Sequence, residues 1–247
     1  MLIARLFRRD FGGVATALGA MMLPVAAALA SLGEGMGPAV MAVSLLSAAA
    51  SLLGILTAME NVMDDREGWM APYVTALGRW KYAALRAAVS TAVSVAAVLP
   101  ASAFYGLIRP ASALPVSAAT ALSAAAGAAV GLLLGFSAST RGYAYAWGIA
   151  AWTALALVYE VVLTFILLYF PVSELFAATA LLANPLTAAR LTGVALADPH
   201  LLTLGAVGDY LHRSLGVYAA YLFPAAAALW IAAAVAASLL EASRRDL

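Results

Sequence analysis

The sequence predicts an all-α integral membrane protein with six transmembrane helices and no soluble domain. Three observations carry that prediction. The 247 residues are 65% hydrophobic and only 10% charged, far too little polar surface to meet water around a soluble fold of this size. The apolar residues gather in six stretches near the ~20 residues that cross ~30 Å of hydrocarbon. Lys and Arg are distributed between the connecting segments with a strong bias to one side.

Taken in order, the spans fall at about 12–32, 39–60, 83–107, 112–136, 145–170 and 216–240. Backbone polar groups must be satisfied internally in lipid, so each span is read as a helix. Ahead of the first, Leu2, Ile3, Leu6, Phe7 and Phe11 recur at helical spacing opposite Arg5, Arg8 and Arg9. This pattern fits an amphipathic helix on the membrane surface, or a basic tail that sets topology alone. Gly127, Gly131 and Gly135 form a small-residue stripe on the fourth span, which lets another helix approach closely. The 171–215 segment contains "LFAATALLANP", too short to cross, and is expected to form short helices lying on or dipping into the outer leaflet.

Orientation follows from the basic residues. Arg5, Arg8, Arg9, Arg66, Arg79, Lys81, Arg86, Arg141, Arg244 and Arg245 fall on one side, against Arg109, Arg190 and Arg213 on the other. The positive-inside rule puts both termini and the 61–82 loop in the cytoplasm, with 171–215 extracytoplasmic. The expected location is the inner (cytoplasmic) membrane, crossed several times.

Residues 60–82 concentrate the charge: Glu60, Asp64, Asp65, Arg66, Glu67, Arg79 and Lys81 are interspersed with Trp69, Met70, Tyr73 and Trp80. Pro72 is tolerated in the first turn of a helix, so a short helix is expected from about Ala71 towards Gly78, with Tyr73, Val74 and Leu77 on one face. Such a helix can enter a groove on a soluble partner, or lie on the membrane surface.

"MDDREG", followed by "GRWK", resembles the cytoplasmic loop of type 2 ABC exporter permeases. The resemblance implies that Asp65, Arg66, Glu67, Gly68, Trp69, Tyr73, Val74, Leu77 and Arg79 form the coupling element that receives an ATPase. "NPLTAARL" is similar to a second element, with Asn184, Pro185 and Arg190 in the outer loop, found in the NosY-like branch that serves copper maturation of nitrous oxide reductase. The implied protein is a single permease domain of half a transporter. It would work with a second permease copy, two ABC ATPase subunits that bind ATP and Mg, and an extracytoplasmic partner at 171–215. A drug, lipid or haem exporter of the same superfamily is the alternative. A secondary transporter half and a non-transporting membrane scaffold are the readings from other classes.

The residue inventory limits the chemistry. The single lysine, Lys81, is not in a phosphate-binding Gly-x-x-x-x-Gly-Lys loop, so this chain is expected neither to hydrolyse ATP nor to bind a cofactor. No cysteine is present, which rules out disulfides and thiol chemistry. There is no His-Glu-x-x-His, and "GFSAS" lacks the second glycine of a nucleophile elbow. No metal site and no nucleic-acid partner are expected. Glu160 is the one charged residue deep inside a predicted span, and reads either as a lining or gating group or as a structural carboxyl.

Overall fold

The computed structural model describes residues 6, 9–11, 14–32, 35–69 and 77–244, and among them there is no strand. Nine helices are named here: α1 Val14–Ala30, α2 Met36–Asp64, α3 Arg79–Ile108, α4 Ala113–Ser137, α5 Arg141–Tyr169, α6 Glu174–Ala183, α7 Pro185–Ala197, α8 Gly205–Leu215 and α9 Ala219–Arg244. Among the described residues, α2, α3, α4, α5 and α9 are long and apolar enough to cross a membrane. The first predicted span appears as the shorter apolar helix α1, which contains Pro24. This is a multi-pass membrane architecture.

The helix bundle is built around α4, which packs on α2, α3, α7 and α9. Its glycines explain that position. A Cβ added at Gly127 or Gly131 would overlap the backbone carbonyl oxygen of Ser51 or Ile55 on α2, and one at Gly54 would overlap that of Ala124. With no hydrophobic drive between helices in lipid, this close backbone approach supplies the packing. α5 lies at the other extreme. Only 6% of its apolar window is buried inside the chain, against 72% for α4, so α5 is the bundle's outward face.

α2 runs past the predicted span end at 60. It continues to Asp64 and into a π-helical turn, Asp65–Trp69. Hydropathy ends the helix where charge begins, but these charges find partners inside the protein and the helix continues. The predicted short helix near 71–78 falls mostly outside the described residues. Gly78 opens α3 at φ 78°, a left-handed conformation that glycine adopts without steric cost.

The 171–215 segment contains the short helices expected there, α6, α7 and α8. α6 and α7 meet at Asn184 with a bend of 109°, the geometry of a broken span or of a re-entrant hairpin, and the second arm is buried against α2, α4 and α9. Asp10 and Ala242 lie at the opposite end of the bundle, beside the charged end of α2, so both ends of the described chain share one end of the bundle.

Candidate functional site

Two polar constellations interrupt the apolar bundle, one at the end of α2 and one at the hairpin. The first is built on Asp64, Asp65, Arg66 and Glu67. Successive residues of a helix point about 100° apart, so four consecutive charges at a helix end reach several neighbours at once.

Asp65 points inwards and is fully buried. Its carboxylate accepts hydrogen bonds from Tyr82 Oη at 2.5 Å and Arg9 Nη2 at 2.6 Å, and faces Arg86 Nε at 3.1 Å. Arg86 is equally buried. It donates to Asp10 at 2.5 Å and to the Asn61 carbonyl at 2.5 Å. Arg9, whose side chain is 35% exposed, and the buried Asp10, Asp65 and Arg86 thus form a charge-neutral cluster joining the N-terminal segment, α2 and α3. Burial opposes the Arg9 charge, but its hydrogen bond to Asp65 and the fields of Asp65 and Asp10 outweigh this and raise its pKa above the ordinary value.

The other charges of the run face the α4–α5 turn. Arg66 donates to the carbonyl of Ala138 at 2.5 Å. Arg141, the first residue of α5, is held by Glu60 at 2.9 Å, Glu67 at 3.0 Å and Asp64. Tyr145 donates to Glu60. The resemblance places Asp65, Arg66 and Glu67 in the element that receives the ATPase. The structure instead turns Asp65 and Arg66 into the bundle and leaves Glu67 partly exposed on Arg141. Gly68 and Trp69 complete the π-helical turn, Leu77 is half-buried before α3, and Arg79 begins α3. Tyr73 and Val74 lie outside the described residues. In the sequence Arg86 and Arg141 mark sidedness alone, and Arg9 also lies on the polar side of the N-terminal amphipathic pattern. The acidic partners that would have shown their second role are 55 or more residues away for Arg9–Asp65 and for the Arg141 contacts.

The second constellation unites residues that were expected apart. Glu160 of α5 pairs with Arg190 of α7 at 2.9 Å and accepts from Thr187 Oγ1 at 3.3 Å. Asn184 and Pro185 form the apex of the α6–α7 hairpin. Asn184 Oδ1 accepts from the backbone N–H groups of Leu186 at 2.9 Å and Thr187 at 3.4 Å, capping α7, while Pro185 takes the first helical position, where no N–H is needed. Asn184 Nδ2 donates to the Leu155 carbonyl at 2.6 Å. Leu155 lies in a π-helical stretch of α5, Thr153–Val158, where the regular hydrogen-bond ladder is interrupted. Tyr159 Oη donates to Ala180 O at 2.6 Å and Trp230 Nε1 to Leu182 O at 2.9 Å. The backbone groups exposed by breaking the helix are therefore met by side chains, as an apolar surrounding requires.

The two histidines, His200 and His212, stand with ring centroids 5.2 Å apart, but among the described residues no group of three or more His, Asp or Glu is arranged to hold a metal ion. No family model and no curated protein sequence matches this chain.

Proposed function

We propose that this chain is the membrane subunit of an ATP-driven type 2 ABC exporter, residing in the inner membrane with the charged end of the bundle in the cytoplasm. One observation carries the reading: the charged run at the end of α2 is wired to the N-terminal segment, to α3 and to α5. A force applied to the loop between α2 and α3 would reach all three through short ionic links, which suits a loop that receives a soluble motor. In this reading Gly68, Trp69, Tyr73, Val74, Leu77 and Arg79 meet that motor, while Asp65, Arg66 and Glu67 anchor the loop's base.

Two such permeases and two ATPase subunits make the full assembly in this reading, with ATP and Mg on the ATPase. The outward face of α5 supports a second copy of the permease as its neighbour. Transport of an apolar cargo fits the chain better than transport of a hydrophilic ion. An apolar groove of about 370 Å³ runs between α4, α5, α9 and the hairpin apex, lined by Ala126, Val130, Leu133, Pro185, Trp230 and Ala234. Mechanical actuation of an extracytoplasmic copper-enzyme maturation partner remains the reading favoured by the Asn184-Pro185…Arg190 element. That partner would meet the part of 171–215 outside the buried arm α7.

The test is purification of the tagged chain from its native membranes, with Mg-ATP hydrolysis and subunit stoichiometry as readouts. The wild type should bring an ATPase with it. Tyr73→Ala with Leu77→Ala should lose that ATPase while retaining the folded bundle, because interface anchors of this kind cost about 2 kcal/mol or more when truncated. An ATPase retained at wild-type stoichiometry by the double variant, or absent from the wild type, would overturn the coupling role.

A further inference from the structure

Between α2, α5 and α7 lies a small cleft of about 30 Å³, lined by Ser44, Ser47, Ser51, Ala156, Glu160 and Arg190. Ser51 is satisfied: its hydroxyl donates to Ala48 O at 2.8 Å and accepts from Trp152 Nε1 at 3.1 Å. Ser47, one turn earlier and 2% exposed, has no hydrogen-bond partner for Oγ within the protein. The Nε–H of Arg190 is likewise buried and unpartnered. Two residues with unmet polar groups thus line one cleft, beside a carboxylate with acceptor capacity to spare.

We propose that this cleft is a water-binding site, in which bound water bridges Ser47 Oγ, Arg190 Nε and the Glu160 carboxylate. A water needs roughly 10–15 Å³ and two to four polar partners, and the cleft meets both requirements. A bound ion fits less well. Arg190 already neutralises Glu160, so the site has no net charge to hold a cation, and the carboxylate repels an anion. Water both donates and accepts, which matches one obligatory donor, one hydroxyl and one obligatory acceptor. The Glu160–Arg190 link thereby becomes a water-bridged joint among α2, α5 and the α6–α7 hairpin. This inference is independent of whether the chain serves an ABC transporter.

The full chain reconstituted in lipid nanodiscs tests it. X-ray hydroxyl-radical footprinting generates radicals from bound water, so Leu186, which lines the cleft but is itself buried, should be oxidised well above the buried Leu132. Ser47→Val should abolish that labelling, because its methyl groups occupy the water's place. It should also lower the melting temperature by about 2–4 °C, the shift expected when one hydrogen-bonded group is lost in a chain of this size. A dry cleft predicts the opposite sign, since Val would remove an orphaned hydroxyl and fill space. Wild-type Leu186 labelled no more than Leu132 overturns the proposal whatever the melting result. A raised melting temperature in Ser47→Val overturns it as well.

Discussion

Arg86 and Asp65 face each other across 3.1 Å with neither side chain exposed, on two helices joined by the charged loop. Arg86 also holds Asp10 and the Asn61 carbonyl, so one guanidinium ties three chain segments together. Removing one partner of a buried pair leaves an uncompensated charge, which typically costs about 3–5 kcal/mol. Arg86→Ala should therefore lower the melting temperature of the detergent-solubilised chain by roughly 10 °C. Arg86→Lys should recover part of this only, because an ammonium cannot reproduce the planar fork that serves several acceptors. A melting temperature unchanged in Arg86→Ala would show that the cluster does not hold the bundle.

Arg141 is a different case, since its carboxylate partners Asp64 and Glu67 are substantially exposed. Arg141→Ala should cost about 0.2–1 kcal/mol for each exposed pair lost, less than the buried pair, and leave three carboxylates in mutual repulsion. Salt screens exposed charges, so the deficit relative to wild type should shrink when ionic strength rises from about 0.05 M to 0.5 M. Thermal melts of both proteins across that range check it. A deficit independent of salt would mean that Arg141 acts through packing.

Asn184 has two functions that substitution can separate. Asn184→Asp keeps an oxygen to cap α7 but loses the donor to Leu155, whereas Asn184→Ala loses both. Loss of a cap costs about 1 kcal/mol, and an unpaired buried carbonyl adds about 1–3 kcal/mol. Amide exchange at Leu186 and Thr187 should rise sharply in Asn184→Ala and remain near wild type in Asn184→Asp. Equal exchange in the two variants would separate the cap from the stability of the hairpin.

Gly131 sits against the backbone of Ile55, where any side chain overlaps the carbonyl. Gly131→Leu should force α2 and α4 apart, with a loss of at least about 1–3 kcal/mol and a lower yield of folded protein. Unchanged thermal stability would contradict the close α2–α4 packing.

Sidedness is tested by reporter fusions. A periplasm-active reporter placed after Thr75 should be silent, and one placed near Asp198 should be active. The opposite pattern would place the charged end of the bundle outside the cell.

Much of the architecture is local and was therefore readable in the residues. A span forms wherever enough consecutive residues prefer hydrocarbon, so the apolar stretches locate the helices without reference to one another. The glycine stripe on α4 announced close packing, because a missing side chain has that effect on any neighbour. Asn184-Pro185 carries its own cap and first-turn geometry in two adjacent residues. What the tertiary structure decided is the pairing of charges. Asp10 with Arg86, Asp64 with Arg141 and Glu160 with Arg190 are each brought together across different helices. Nothing in the spacing along the chain selects these partners, since any acid could in principle meet any base until the helices pack. Packing also decided the place of Asp65: a lone carboxylate is costly to bury, and three neighbours arriving from other segments made the interior the lower-energy place. Hydrophobic length is a property of a segment, whereas neutralising a buried charge requires several segments to arrive at one point in space.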